Sequence, residues 1–273
     1  MKPFLKWAGN KYRIIDRIKK ALPPANRLIE PFTGSAAVFL NTNYSNYLLA
    51  EKNDDLINLY HQLKDEGEKF IKYCRKFFEP GYNNRERYYE LREQFNQTKN
   101  IRLRSALFIY FNKHGYNGLC RYNTSGKFNV PFGLRDKTNL PELEMRFFLE
   151  KAHQASFIQA DFLETMDRAK SGDVVYCDPP YAPLSKTANF TGYSSGGFSE
   201  KEQALLADEA KKLSQKGITV VISNHDTKFT RELYKGAKIT SFEVPRYISR
   251  DGYNRHPALE LLAVFSGKKS RKK

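Results

Sequence analysis

The sequence predicts an α/β fold with a Rossmann-like sheet that is interrupted by a mainly helical insertion. Three observations lead to this fold class. Up to Asn53 the chain follows the order strand, glycine turn, helix, strand, acid, which is typical of a nucleotide-binding βαβ unit. From there to about Gln97, apolar residues recur at the three- and four-residue spacing of amphipathic helices. After Pro141, strands and helices alternate again.

The elements before Pro141 can be read in order. The βαβ unit consists of "RLIEPF", "GSAAVFLNT" and "YLLAEKN". The inserted helices are "DDLINLYHQLKDEG", "EKFIKYCRKFFEP", "RERYYELREQFNQ" and "RSALFIYFNKHG". The segment 116–133 follows them and is rich in Asn, Gly and aromatic residues, so we predict an ordered loop or hairpin there.

The second half supplies the rest of the sheet. We predict strands at "ASFIQAD", "DVVYC" and "ITVVISN", and closing strands at "AKITSFEV" and "LELLAVF". Ser199 and Glu202 have the spacing of a capping box at the start of a helix, and Gly217 is placed to end it.

Composition indicates a polyanionic partner. The chain has 46 Lys and Arg against 30 Asp and Glu, a net charge of +16, which favours nucleic acid over a merely soluble basic protein. Its three cysteines lack a CxxC pairing, which fits a reducing compartment. No apolar run reaches membrane-spanning length and the start lacks a signal-peptide core. We expect a cytoplasmic monomer that makes no membrane contact.

The stretch "DVVYCDPPYAPL" holds the most specific chemistry. Asp178 follows a buried strand and precedes Pro179 and Pro180, so the chain leaves the sheet at the edge where ligands of α/β proteins bind. The carboxylate and the proline carbonyls form an acceptor-rich corner that suits an amino group, and Tyr181 offers a ring for a flat base. The turn by itself leaves the roles of acid, metal ligand, general base or turn residue open for Asp178.

The residues argue against a metal at this corner. The five histidines are scattered along the chain, and no His or Cys cluster accompanies Asp178. His225 in "SNHD" ends a strand, where a structural role is the stronger interpretation. We therefore predict no metal site.

Residues near the first strand indicate nucleotide binding less specifically. Gly34 lies in a turn that lets a ligand approach the backbone, although such turns are common. Glu51 ends the next strand, where a carboxylate commonly binds ribose hydroxyls; a solvated strand end is the alternative. Trp7 is either a core residue or a stacking surface for adenine, with Lys11 near enough in sequence to reach a carboxylate.

The segment 116–133 carries candidate DNA contacts. Arg121 suits a guanine edge, Tyr116 a wedge into the base stack, and Asn117 and Asn123 suit bases or phosphates. Lys113 and Lys127 are candidate phosphate contacts. An ordered surface loop without this role is the alternative.

These blocks together resemble one family. The sequence is similar to the Dam-type (GATC-specific) DNA adenine-N6 methyltransferases over essentially its whole length, through seven blocks in the same order. The blocks are "FLKWAGNKY", "EPFTGSAAVFLNT", "FNKHGYNGLCRYN", "FNVPFG", "VVYCDPPYAPLS", "TANFTGY" and "ISNHDT". The resemblance implies a class I S-adenosylmethionine-dependent methyltransferase fold. It also implies S-adenosylmethionine as methyl donor and adenine in GATC of double-stranded DNA as target.

The resemblance also implies domains and site residues. A discontinuous catalytic domain would comprise residues 1–55 and 141–273, and a DNA target-recognition domain residues 56–140. The residues implied in cofactor binding are Trp7, Lys11, Phe32, Gly34, Glu51, Asp161 and Asp178. Asp178, Pro179, Pro180 and Tyr181 form the catalytic corner. The residues implied in DNA binding are Lys6, Lys113, Tyr116, Asn117, Leu119, Arg121, Asn123 and Pro131.

Two positions depart from the family pattern. Glu51 stands where the family usually has Asp, and the longer side chain is still expected to reach a ribose. Ala36 replaces the second glycine of the common F-x-G-x-G turn, which we expect to be tolerated only with a negative φ.

Two other functions compete with adenine methylation of DNA. The same acceptor corner would serve methylation of cytosine N4, RNA or a protein amide, and a DNA-binding protein without activity would keep the fold. The recognition segment favours adenine in duplex DNA, and the presence of Trp7, Lys11 and Asp178 favours an active enzyme. The biological role, whether in mismatch repair, replication timing, gene control or restriction protection, is left open by the sequence.

Overall fold

The computed structural model describes residues 1–134, 138–182, 198–244 and 258–267. The strands in these ranges are β1 (Arg27–Glu30), β2 (Asn46–Glu51), β3 (Ala155–Gln159), β4 (Asp173–Cys177), β5 (Thr219–His225), β6 (Lys238–Val244) and β7 (Ala258–Phe265). The α-helices in these ranges are α1 (Ile15–Ala21), α2 (Ala37–Asn41), α3 (Asp54–Glu66), α4 (Glu68–Arg75), α5 (Arg85–Gln97), α6 (Ile101–His114), α7 (Glu142–Ala152), α8 (Phe162–Asp167), α9 (Glu200–Gln215) and α10 (Lys228–Leu233). The "TANFTGY" block lies outside the described residues.

The seven strands form one sheet in the order β3-β2-β1-β4-β5-β7-β6. β4 pairs in parallel with β1 and with β5, and β2 pairs in parallel with β3. β7 runs antiparallel to both β5 and β6. This sheet, with helices between its strands, confirms the predicted α/β fold.

The central strands follow from their composition. Strands of a parallel sheet are covered on both faces, so they read as continuous apolar runs. In β4 all residues after Asp173 are buried, and β5 is buried between its two end residues. Asp178 follows β4 directly, and Ser223 follows Ile222, the partner of Cys177, so these two polar residues lie together at the carboxyl edge of the sheet.

The capping box predicted for α9 is confirmed. The Ser199 hydroxyl accepts a hydrogen bond from the Glu202 backbone N–H at 3.2 Å, and the Glu202 carboxylate accepts one from the Ser199 N–H at 2.7 Å. Gly217 follows the helix with a φ of +85°, a conformation that favours glycine, so the predicted stop is also confirmed.

The chain divides into two compact units. The first unit comprises Met1–Ile15, Thr33–Asn43 and Tyr47–Gln159. The second unit comprises the described residues of Asp16–Phe32, Tyr44–Asn46 and Ala160–Lys273. Compact packing does not assign a function to either unit. The division into a catalytic domain (1–55 and 141–273) and a target-recognition domain (56–140) therefore stays a prediction. No helix among the described residues is long and apolar enough to span a bilayer.

The core of the first unit is aromatic. Phe148 stacks on Tyr60 with ring centroids 4.9 Å apart and on Phe157 at 5.6 Å. Phe4 packs edge-on against Phe148 at 5.4 Å, which fixes the amino-terminal segment to the helices. Such pairs add attraction between ring edges and faces to the burial of large apolar areas.

One titratable group is buried at the end of α6. The His114 side chain is 1% exposed, its Nδ1 lies 3.0 Å from the Tyr110 carbonyl, and its Nε2 is hydrogen-bonded with the Thr138 hydroxyl. Burial lowers the pKa of His114 from 6.5 to about 4. The imidazole is therefore mostly neutral in the folded protein above that pH.

This burial predicts a loss of stability in mild acid. Between pH 6.5 and 4 the unfolded chain binds a proton at His114 that the folded chain does not bind. The contribution is complete above pH 6.5 and is lost as pH falls toward 4. We expect His114→Gln to reduce the drop in unfolding free energy between pH 7.5 and pH 5 by about 2 kcal/mol, measured by urea unfolding.

The exposed His153 provides the control for loss of an imidazole at the surface. Equal pH dependences for the parent protein and His114→Gln, with His153→Gln measured beside them, would contradict a neutral buried His114.

Candidate functional site

The corner after β4 is supported from strand β5. The half-buried Asp178 follows directly after Cys177, and its Oδ1 accepts a hydrogen bond from Ser223 Oγ at 2.9 Å. Ser223 is fully buried and lies 3.1 Å from the Tyr176 hydroxyl. The carboxylate is therefore held by a neighbouring strand as well as by the two prolines that follow it.

Tyr181 is fixed at both its ring and its hydroxyl. The hydroxyl donates to Glu260 Oε2 at 3.0 Å, and the ring packs edge-on against His225 with centroids 4.8 Å apart. Burial and the Asp178 carboxylate raise the pKa of Tyr181 well above its ordinary value, so the phenol keeps its proton. His225 Nδ1 lies 2.8 Å from the Ala182 carbonyl, which fits a structural role for that histidine.

An aromatic cluster adjoins β1 in the second unit. Phe32 stacks on Phe162 with centroids 5.7 Å apart, and Phe198 packs edge-on against Phe32 at 5.5 Å. Asp161 precedes Phe162, is exposed, and caps α8 by accepting from the Glu164 N–H at 2.9 Å. Its predicted contact with the adenine of the cofactor stays a prediction.

The glycine turn in the first unit is closed by Trp7 and Glu51. Gly34 has a φ of +48°, and a Cβ added there would lie 2.9 Å from two atoms of the Trp7 indole. The Gly34 N–H donates to Glu51 Oε2 at 3.1 Å, and its carbonyl accepts from the Tyr60 hydroxyl at 2.5 Å. Burial raises the pKa of Glu51, although three backbone N–H groups favour its charged form.

The expectation for Ala36 is wrong. Its φ is +61°, in the left-handed region, and the residue is fully buried at the start of α2. The Ala36 N–H donates to the Thr33 carbonyl at 2.9 Å, and its own carbonyl accepts the first α2 bond, from Leu40, at 3.0 Å. These bonds and the packing hold a conformation that an L-residue adopts at a penalty of about 1–2 kcal/mol.

The groups of the first unit fit the predicted cofactor. Glu51 supplies a carboxylate that suits a ribose diol, and Trp7 supplies an indole over a glycine that leaves room for no side chain. The buried Lys11 ammonium, which donates to the Gly9 carbonyl at 2.6 Å, supplies a positive charge for an α-carboxylate. The donor and acceptor types therefore match an adenosyl amino acid.

The segment after α6 is a hairpin. This is one of the two forms predicted for it, an ordered loop or a hairpin. Isolated bridges join Gly115 to Phe132 and Tyr122 to Phe128. Phe128 is buried against Phe111 at 5.0 Å, and the Tyr122 hydroxyl donates to Asp55 Oδ2 at 2.6 Å. Contacts from α3, α5 and α6 thus hold this recognition hairpin, residues 115–133.

Several predicted DNA contacts lie on the exposed side of the recognition hairpin. Exposed residues among them are Tyr116, Asn117, Leu119, Arg121, Asn123 and Pro131. The Arg121 guanidinium is oriented by Asn129, to which its Nε donates at 2.7 Å. Asn123 instead shapes the tip, where its Oδ1 accepts from the Ser125 and Lys127 N–H groups at 3.0 and 2.9 Å.

Lys113 lies near the end of α6, and Lys6 lies beside the same helix, where its backbone is bonded to Asn112. The backbone of Lys6 makes a reciprocal pair of hydrogen bonds with the Asn112 amide, at 2.8 and 2.7 Å, and Asn112 also donates to the Gly118 carbonyl. The Lys113 ammonium donates to the Phe4 carbonyl. Its phosphate contact stays a prediction, because this bond gives the ammonium a structural role.

Sequence reasoning missed the buried polar residues behind these surfaces. Asn112, Ser223 and Asn224 end apolar runs, and Gln203 stands at an apolar position of the α9 stripe. A polar residue at a buried position requires hydrogen-bond partners, which was the available signal. The aromatic contacts of Phe162 and Phe198 had no such signal. Among the described residues, no group of three or more His, Cys, Asp or Glu could hold a metal ion.

Comparisons with known proteins give a consistent match. The family model described as D12 class N6 adenine-specific DNA methyltransferase matches residues 7–248. The chain is 52% identical over 264 residues to a DNA adenine methylase of Vibrio cholerae serotype O1, covering 96% of this chain and 95% of that protein. It is 49% identical over 262 residues to the DNA adenine methylase of Escherichia coli K12, covering 96% and 94%.

A solved structure, precorrin-6y C5,15-methyltransferase from Geobacter metallireducens, is similar at a TM-score of 0.41 and 11% identity, covering 95% of this chain and 92% of the other. This likeness is too remote to bear on function.

The contact of Trp7 with Gly34 predicts a spectroscopic effect. Gly34→Ala places a methyl group within 2.9 Å of the indole and should displace it, and Trp7 is the only tryptophan in the chain. We expect a shifted fluorescence emission maximum. The matched control is Gly126→Ala, where φ is +71° but nothing lies within 4 Å of the added Cβ.

Both substitutions should lower the unfolding free energy by about 1–2 kcal/mol through the left-handed backbone. Only Gly34→Ala should change the spectrum, and superimposable spectra of all three proteins would contradict the contact.

Proposed function

Because this chain belongs to the D12 class of N6 adenine-specific DNA methyltransferases, we propose that it methylates adenine within GATC and takes the methyl group from S-adenosylmethionine. The family recognised from its motif blocks is confirmed, as is its activity as an adenine-specific DNA methyltransferase. The target sequence, the methyl donor and the residue roles below are the proposal. The acceptor corner of Asp178 is the observation that carries it.

The chemistry explains why such a corner is needed. The amino nitrogen of adenine is a poor nucleophile, because its lone pair is delocalised into the ring. The target atom is also inaccessible inside a duplex, so the adenine leaves the base stack at a cost of a few kcal/mol. When bound, S-adenosylmethionine supplies the methyl group on a positively charged sulfur. The protein has to make the nitrogen reactive.

Asp178 and Pro179 perform this task in the proposal. The Asp178 carboxylate and the Pro179 carbonyl accept the two N–H bonds of the amino group and draw the nitrogen toward tetrahedral geometry. Positive charge develops on that nitrogen during transfer, so both hydrogen bonds strengthen in the transition state. The hydrogen bond from Ser223 Oγ to Asp178 Oδ1 at 2.9 Å supports this role, since it orients the carboxylate.

The backbone carbonyl of Pro180 has another partner. It accepts from Gln203 Nε2 at 2.8 Å, which supports the choice of Pro179 as the second acceptor. Tyr181 is proposed to face the flipped base with its ring, because its hydroxyl is bound to Glu260.

Cofactor binding is proposed for Trp7, Lys11, Phe32, Glu51 and Asp161. Glu51 would accept from the ribose hydroxyls, Trp7 would contact the adenosyl group, and Lys11 would pair with the carboxylate. Their supporting geometry is the closed turn at Gly34. Phe32 and Asp161 are proposed to contact the adenine portion, with the stacked Phe162 giving that surface its rigidity.

DNA recognition is proposed for the exposed side of the recognition hairpin. Tyr116, Asn117, Leu119, Arg121 and Pro131 are placed there to reach bases, and the hold of Asn129 on Arg121 supports a bidentate contact with guanine. Asn123 would act at the hairpin tip and Lys6 near an outer guanine. The net charge of +16 supports attraction to the phosphates.

A methyl-transfer assay tests the target. The protein is incubated with labelled S-adenosylmethionine and with duplexes that contain GATC, CATC or neither site. We expect label in N6-methyladenine from the GATC duplex, and at least about tenfold less from CATC, since one wrong base pair typically costs about 1–3 kcal/mol. Label in cytosine, or equal label in all duplexes, would contradict the proposal.

Asp178 itself is tested by Asp178→Asn. The amide keeps the shape of the side chain but removes the negative charge that stabilises the developing ammonium, so the turnover number should fall by at least about 10²–10³-fold. Binding to the GATC duplex should stay within a few fold. Asp173→Asn, at the other end of β4 and paired with Arg27, is the control for folding of the strand. Near-parent turnover of Asp178→Asn would overturn its role.

A further inference from the structure

Two buried amide side chains are hydrogen-bonded to the backbone on either side of Tyr181. Asn224 Oδ1 accepts from the Ala182 N–H at 3.0 Å, and Gln203 Nε2 donates to the Pro180 carbonyl at 2.8 Å. The amides are joined to each other, because Asn224 Nδ2 donates to Gln203 Oε1 at 3.0 Å. Both side chains are at most 1% exposed. We call Asn224 and Gln203 the amide pair.

The amide pair has only one self-consistent orientation. A backbone N–H at Ala182 requires an acceptor, and a proline carbonyl at Pro180 requires a donor. Asn224 Oδ1 also accepts from the His225 N–H at 2.9 Å, and its Nδ2 also donates to the Tyr234 hydroxyl at 2.9 Å. Flipping either amide would set two donors or two acceptors against each other. The backbone therefore fixes the pair, and the pair fixes the backbone.

Stability alone gives little reason for this arrangement. Burying amides is unfavourable unless every bond is made, and replacing both partners of a buried hydrogen bond with apolar groups is often nearly neutral. The amide pair instead joins α9 and β5 to Pro180 and Ala182, the two residues that flank Tyr181. Small displacements of a reacting geometry reduce rates strongly even when binding is kept.

We propose that Asn224 and Gln203 are positioning residues for methyl transfer. This inference rests on the proposed function of the Asp178 corner. By holding the Pro180 carbonyl and the Ala182 N–H, the amide pair sets the direction in which Pro179 presents its carbonyl and Tyr181 its ring. The amides act through this backbone and do not touch the substrate.

Gln203→Glu provides a test with a built-in rescue. It replaces Nε2 with an oxygen, so an ionised carboxylate opposes the Pro180 carbonyl at 2.8 Å, while the protonated acid can again donate to it. Burial raises the pKa of an introduced carboxyl group. At pH 9 we expect the turnover number to be about 10- to 100-fold below the parent, with KM for DNA and for S-adenosylmethionine within about threefold.

The turnover number of Gln203→Glu, divided by that of the parent at the same pH, should rise progressively as the pH falls from 9 to 6. Gln215→Glu is the matched control, because it places the same charge at an exposed position of the same helix. Gln203→Met, which removes both hydrogen bonds without adding charge, should show the loss without recovery. It also replaces Gln203→Glu if that variant does not fold.

Amide hydrogen exchange gives a readout that does not depend on activity. Exchange at Ala182, whose N–H donates to Asn224 Oδ1, should be faster in Asn224→Leu than in the parent, while exchange in β6 should be unchanged. A turnover number within twofold of the parent at every pH would overturn the inference, and so would losses that appear only in KM.

If the parent protein methylates none of the DNA duplexes, the proposed function fails. The amide pair is then judged by exchange at Ala182, and unchanged exchange overturns its hold on the corner.

Discussion

The parallel pairing of β1 with β4 is the constraint from which the candidate site follows. Arg27 lies opposite Asp173, and the register continues residue by residue to Ile29 and Val175. Because the strands run in the same direction, the residues that follow them leave the sheet at the same edge. After β1 these residues are Pro31 and Phe32, and after β4 the first of them is Asp178. Their placement is therefore a consequence of apolar strand packing, and the chemistry of the loops exploits a position that the core has already determined.

Buried polar side chains hold the loops that follow the strands at this edge, and others hold the loops that follow helices. Asn224 and Gln203 bind the backbone around Tyr181, and Asn112 binds the backbone of Lys6 and Gly118. Asp55 is 2% exposed and accepts hydrogen bonds from both Arg104 and the Tyr122 hydroxyl. The amides replace the backbone partners that a loop lacks, and the Asp55 carboxylate binds a tyrosine of the hairpin through its side chain.

The sequence was sufficient for strands β4 and β5, for the cap of α9 and for the position of Asp178 directly after β4. Apolar runs predicted β4 and β5, the spacing of Ser199 and Glu202 predicted the cap of α9, and the DPPY turn predicted acceptors at a strand end. These features depend on neighbours in sequence, so their signal is local. The Dam-type motif blocks also predicted the family to which the chain belongs.

What the sequence did not show depends on residues far apart in the chain. The bond between Gln203 and Pro180 spans 23 residues, and the one between Asn112 and Lys6 spans 106. No periodicity encodes such pairs. A polar residue at a buried position indicates that a partner exists, but the identity of the partner is set by the packing of whole elements. The left-handed Ala36 was mispredicted for the same reason, because packing overrode the preference of the residue.

Ala36 has a consequence for how the turn at Gly34 is maintained. Glycine would let this backbone relax among several conformations in the unfolded chain and would adopt the left-handed one without penalty. Alanine has the opposite preference, so the shape of the turn is enforced by its surroundings and does not originate in the turn itself. Such a turn is ordered only while the adjoining strands and helix are intact. Order at this turn is thereby coupled to the global folding of the protein, and local opening of the turn without loss of the core is disfavoured.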